Sequence, residues 1–115
     1  MQQVQVCDVA ALLAGLGQQA GGPEPLLLDV REPWEVQQAP LSVAGARTVC
    51  IPMQQIPARL DELEPSQPIL GLCHHGVRSL QVVAFLERQG YEHLYNVAGG
   101  IDAWSREVDA SVPTY

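Results

Sequence analysis

Short apolar runs alternate along the chain with longer segments whose apolar residues recur at helical spacing. Val4–Val6 predicts a first strand. Asp8 predicts the N-cap of a helix carrying Ala10, Leu12, Leu13 and Leu16 and closed by Gly17. Gly21-Gly22-Pro23-Glu24-Pro25 reads as a loop. Leu26-Leu27-Leu28-Asp29-Val30 is an apolar strand interrupted only by an acid. Pro33 then opens a short helix, where a missing N–H costs little. Thr48–Ile51 predicts a third strand stopped by Pro52, and Ile56–Leu63 a helix with Pro57 in its first turn. Ile69–Leu72 is the fourth strand, and Ser79–Gln89 is the clearest helix, ended by Gly90. Leu94–Val97 is the fifth strand, followed after Gly99-Gly100 by a last short helix over Asp102–Glu107.

Strands that are apolar throughout, with no polar alternation, are those covered on both faces. Their alternation with helices predicts an α/β fold: one domain spanning residues 1–115, with a five-stranded, mostly parallel sheet flanked by helices on both faces. In such sheets ligands bind beyond the carboxyl ends of the strands. That rule singles out Asp29 with Arg31, Pro52, the residues from Cys73 onward, and Ala98-Gly99-Gly100.

Composition narrows the picture. With 115 residues, 47% hydrophobic and 17% charged, the chain fits a single folded core and not a disordered segment. Thirteen acids against six cations, all arginine, give a net charge of −7. Without clustered cations, neither nucleic acid nor an anionic membrane is an expected partner. Met1–Gln5 carries no basic or apolar signal segment, and no apolar run approaches the roughly 20 residues of a membrane span. The three cysteines, Cys7, Cys50 and Cys73, have no CxxC spacing, which argues against a disulfide framework or structural zinc. These features predict a cytoplasmic, reduced setting.

The segment Gly71-Leu72-Cys73-His74-His75-Gly76-Val77-Arg78-Ser79 carries the chemistry. A cysteine ends a strand, a tight loop follows, and an arginine lies at the start of a helix. Such a loop can turn successive N–H groups inward, and the helix start adds its own free N–H groups and partial positive charge. Gly76 allows a positive φ, and Arg78 adds a fixed cation. This field favours the thiolate of Cys73, the reactive form of a nucleophilic cysteine. Arg78 follows Cys73 by five positions, so the spacing is C-x4-R. That ring is one residue tighter than the C-x5-R loop of cysteine-dependent phosphatases, which argues against a phosphatase or arsenate reductase. It suits a smaller group, such as one added sulfur atom.

Leu28-Asp29-Val30-Arg31-Glu32 with Glu35, the loop Cys73–Arg78, and Ala98-Gly99-Gly100-Ile101-Asp102-Ala103-Trp104 together resemble the rhodanese homology domain, specifically the single-domain sulfurtransferases. The resemblance implies a rhodanese-like enzyme of thiosulfate sulfurtransferase type. Cys73 would take a sulfane sulfur from thiosulfate or a related donor, hold it as a persulfide, and pass it to cyanide or a thiol acceptor. The N–H groups of His74, His75, Gly76, Val77 and Arg78 would bind the persulfide, with Asp29 and Arg31 as a supporting polar pair. No cofactor beyond the covalent persulfide and no metal is implied. The partners would be a small anionic or persulfide donor and a thiol or protein acceptor. A non-enzymatic or partner-dependent sulfur-carrier module is the alternative. Two departures stand out. His74 occupies a position that is often arginine, leaving the loop one permanent cation. Of the family's His-Ile-Pro-Gly-Ala run only Gly45-Ala46 survives. Cys7 and Cys50 read as structural, His74 and His75 as solvent-facing loop residues, and Trp104 as either core or a wall of the substrate mouth.

Overall fold

The computed structural model describes residues 1–17 and 23–115. Strands β1 (Gln2–Gln5), β2 (Leu26–Asp29), β3 (Arg47–Cys50), β4 (Ile69–Leu72) and β5 (Leu94–Ala98) form one sheet in the order β1-β5-β4-β2-β3. Every pairing is parallel. The helices are α1 (Val9–Gly17), α2 (Pro33–Gln38), α3 (Val77–Arg88) and α4 (Gly100–Glu107). Gly21 and Gly22 of the anticipated loop lie outside the described residues.

The central strands β2 and β4 are buried at every position. Successive side chains point to opposite faces, so an unbroken apolar run feeds two cores. Leu26, Leu28 and Ile69 pack with Ile56, Val82, Val83 and Leu86 on one side. Leu27, Leu70 and Leu72 pack with Val9, Leu13, Ile101 and Trp104 on the other. Burial of these side chains, worth about 1.5–3 kcal/mol each, holds the three layers together.

Most boundaries shift by one or two residues from the sequence reading, and three segments differ in kind or cause. β1 begins at Gln2 because it is an edge strand held by backbone pairing to β5, while its mostly exposed glutamines carry no hydrophobic signal. Val6–Asp8 is a 3-10 turn leading into α1. The segment expected as a helix over Ile56–Leu63 forms short 3-10 turns, Met53–Gln55 and Pro57–Glu62, with Arg59 at φ −120° interrupting the second. Pro57 has no N–H to give a longer helix. The Tyr91 hydroxyl lies 3.2 and 2.9 Å from the carbonyls of Leu60 and Leu63, and its one proton favours the nearer, Leu63. No described helix is long and apolar enough to cross a membrane.

Candidate active site

Cys73 follows β4 directly, at the carboxyl end of a central strand, and is only 1% exposed. Gly76 caps α3 with φ 97° and donates its N–H to Cys73 Sγ at 3.0 Å. Ser79, in the first turn of α3, places Oγ 3.4 Å from the same sulfur. Its hydroxyl also lies 2.5 Å from Asn96 Oδ1 on β5. A hydroxyl has one proton to donate, and the shorter contact favours Asn96. The Asn96 amide in turn donates to the Gly76 carbonyl at 3.1 Å and to Gln3 Oε1 on β1 at 3.0 Å. The Cys73 thiol is thus braced from α3, β5 and the sheet edge.

The loop's carbonyls are held by α4. The N–H groups of Ile101 and Asp102 donate to the carbonyls of Cys73 and His74 at 2.9 and 3.0 Å. Tying these oxygens to one helix N-terminus leaves the loop's own N–H groups free to turn toward the sulfur. Gly99-Gly100 is therefore more than a turn. A Cβ on Gly100, at φ +60°, would fall on the Cys73 and His74 carbonyls, the latter at 2.5 Å. A Cβ on Gly76 would stand 2.9 Å from the Gly99 nitrogen.

Arg78 is not a free cation. Its Nη1 and Nη2 donate to the two oxygens of Glu35 at 2.7 Å each. Glu35 is buried on α2, where it also accepts the Glu32 N–H at 2.9 Å in a reciprocal capping box. The Arg78 hydrogen bonds hold the Glu35 carboxyl down to about 2, against the opposing effect of burial. The same pair raises Arg78 further. Burial and neighbouring His75 both lower His74. The permanent positive charge in the loop is therefore already neutralised.

Asp29 and Arg31 form a buried ion pair. Arg31 Nε and Nη2 donate to Asp29 at 2.9 and 2.8 Å, with both side chains almost fully buried. Arg31 also reaches the Ala39 carbonyl at 2.9 Å and the Tyr115 hydroxyl at 3.2 Å. Burial alone would depress Arg31, but its bonds to Asp29 and Tyr115 hold it above the ordinary arginine value. Among the hydrogen bonds of the described residues, this pair meets the loop indirectly. It braces α2, and Tyr115 donates onward to Glu35 at 2.9 Å.

An open cavity of about 690 Å³ lies against this network, lined by Glu32, Trp34, Glu35 and Gln38 of the α2 region, His74 and Arg78 of the loop, and Tyr115. Tyr115 stacks on His74 at 3.9 Å between ring centroids and meets Trp34 edge-on at 6.1 Å. A smaller apolar cavity of about 190 Å³ lies between Met53, Ile56 and α3, away from the loop residues.

Some readings of the sequence need correction. Cys7 and Cys50 are exposed and contribute nothing to the core, while Cys73 is the buried cysteine. Cys50 ends an edge strand, where one face lacks cover. Partial desolvation of the sulfur by its neighbours and the nearby Asp29 carboxylate raise the Cys50 thiol above the ordinary value, which disfavours its thiolate. Trp104 belongs to the core, and the mouth's aromatic residues are Trp34 and Tyr115. His75 is exposed, but His74 is partly covered by Tyr115. His74, His75 and Asp102 bring possible metal-ligand atoms within 4.8 Å of one another. The two imidazoles stack at 4.0 Å with planes 25° apart, and Asp102 also engages Arg106 at 2.9 Å. Ligation lies in the plane of each ring, so both histidines would have to turn to share an ion. Asn96 had one signal in the sequence, an amide inside an otherwise apolar strand. Tyr115 had none, being far from the loop along the chain.

The geometry has counterparts among known proteins. A family model for the rhodanese-like domain matches residues 12–107. A chloroplastic rhodanese-like/PpiC domain-containing protein of Arabidopsis thaliana is 41% identical over 96 residues, covering 80% of this chain and 31% of that protein. A sulfurtransferase of Allochromatium vinosum is 38% identical over 81 residues, covering 70% of this chain and 72% of its own. The thiosulfate sulfurtransferase GlpE of Vibrio cholerae is 35% identical with the same coverage. Among solved structures, a rhodanese-related protein of Thermoplasma volcanium superposes with TM-score 0.72 at 27% identity, covering 94% of each chain. With its parallel sheet, its cysteine loop and a family match over most of its length, this chain belongs to the rhodanese-like domain family.

Proposed function

We propose that this domain is a sulfurtransferase that moves a sulfane sulfur from thiosulfate or a related donor to cyanide or a thiol through a persulfide on Cys73. The carrying observation is the Gly76 N–H donating to Cys73 Sγ at 3.0 Å inside a C-x4-R loop. The Cys73 thiolate attacks the outer sulfur of thiosulfate, the S–S bond breaks, and sulfite leaves with the electron pair. Cyanide or an acceptor thiolate then attacks the outer sulfur of the persulfide and releases the Cys73 thiolate. Every step exchanges one bond to sulfur for another, so the transfer needs no cofactor. We place the domain in the cytoplasm, where its three free thiols stay reduced.

Mass spectrometry after thiosulfate treatment should show one added sulfur on Cys73, and Cys73→Ser should abolish transfer. Full transfer by Cys73→Ser would overturn the mechanism. The bidentate hold of Glu35 on Arg78 favours a second version, in which a partner protein delivers or receives the sulfur. Turnover that appears only with a protein donor or acceptor would select it.

A further inference from the structure

The cavity beside the cysteine loop has a charge balance ill suited to an anion. Among the described residues that line it, the one arginine or lysine is Arg78, which Glu35 binds at both Nη1 and Nη2. Glu32 adds a second carboxylate to the lining. The chain as a whole carries −7. The cavity also offers aromatic surface without apparent use in the core. Trp34 is 58% exposed, the more exposed of the two tryptophans, and its edge contact with Tyr115 makes a corner in the cavity wall. Of the two rings, Trp34 lies inside the span matched by the family model, residues 12–107, and Tyr115 lies beyond it. Aromatic faces beside carboxylates attract ammonium groups, which interact with the ring quadrupole and the negative charge together.

Resting on the sulfurtransferase reading above, we propose that this cavity selects acceptors that are thiols on an amine-bearing carbon skeleton. The skeleton would pack against Trp34 and Tyr115, and the ammonium would face Glu32. The acceptor thiolate attacks the outer sulfur of the Cys73 persulfide. One S–S bond forms, the bond to Cys73 breaks, and the electron pair returns to Cys73 as thiolate while the acceptor leaves as a persulfide. No oxidant or reductant is consumed.

The test loads Cys73 with inorganic polysulfide, a donor chosen to bypass recognition at the cavity, and confirms the added sulfur by mass. The loaded protein is then discharged by cysteamine, mercaptoethanol or mercaptopropionate at low salt, with second-order rates expressed per thiolate. The order should be cysteamine, then mercaptoethanol, then mercaptopropionate, with the amine ahead of the acid by about tenfold or more. Trp34→Ala and Glu32→Gln should each reduce that ratio by about threefold to fivefold. Glu32→Gln keeps an acceptor oxygen for the helix cap, and thermal melts establish that both variants remain folded. The control is Glu64→Gln, an exposed acid before the opposite end of β4, which should leave the ratio unchanged. If Glu64→Gln lowers the ratio as much as Glu32→Gln, the preference belongs to the global field and the proposal fails. It also fails if mercaptopropionate discharges the persulfide as fast as cysteamine. A Cys73 that loads and discharges without amine preference overturns this inference alone. A Cys73 that never takes sulfur overturns the transfer reading, and this inference with it.

Discussion

Replacing Gly100 by alanine tests whether α4 shapes the Cys73 loop. The added Cβ would collide with the carbonyls of Cys73 and His74, the two groups that accept the Ile101 and Asp102 N–H groups. Because the obstruction is backbone and not the flexible end of a side chain, relief requires the loop or the helix to move. The φ of +60° adds about 1–2 kcal/mol for any residue with a Cβ. Overpacking of this kind costs about 1–3 kcal/mol more. The sum, about 2–5 kcal/mol, corresponds to a fall in melting temperature of roughly 8–20 °C for a chain of this length. Displacing the loop by an ångström should also slow sulfur uptake by about 100-fold. Gly90→Ala is the matched control. It has φ +95° but nothing within 4 Å of the added carbon, so it should show only the conformational cost and wild-type uptake. The assays are thermal melting and persulfide formation on Cys73 below both transitions. A Gly100→Ala protein that melts with Gly90→Ala and takes up sulfur at the wild-type rate would refute the loop-anchoring argument.

Asp29→Asn should leave the Arg31 charge buried without its carboxylate and destabilise the protein by about 3–5 kcal/mol, read as a lower urea midpoint. The buried Glu35 carboxyl, held at about 2 against an ordinary 4.5, contributes stability that is fully present above pH ~5 and is lost as pH falls toward ~2, by roughly 3 kcal/mol. Acid melts should therefore be steeper for wild type than for Glu35→Gln, and parallel curves would contradict the assigned pairing. Because thiosulfate meets a chain of net charge −7, its second-order rate should rise as added salt shortens the screening length from about 30 Å to about 8 Å. A steep fall would reveal a concentrated basic entrance.

The sequence by itself determined the layer order and singled out the loop after Cys73 as the candidate site. Leu26–Leu28 and Ile69–Leu72 are apolar at nearly every position because both faces of a central parallel strand are buried, so the pattern carries the architecture. Cys73 and its loop were legible because an anion-cradling turn needs its glycine and its cation at fixed short spacing along the chain. Edge strand β1 was misplaced because backbone pairing, and not side-chain burial, defines it. Only the tertiary structure decided the state of Arg78, whose partner Glu35 lies 43 residues away. Only it brought Tyr115 onto His74, Asn96 onto Ser79, and the N-terminus of α4 onto the loop carbonyls. Charge pairing, stacking and carbonyl capture depend on distances in space, and residues joined by the fold leave no periodicity in the chain. A loop that reads in sequence as a cationic cradle is, once folded, a neutralised one bordered by aromatic rings.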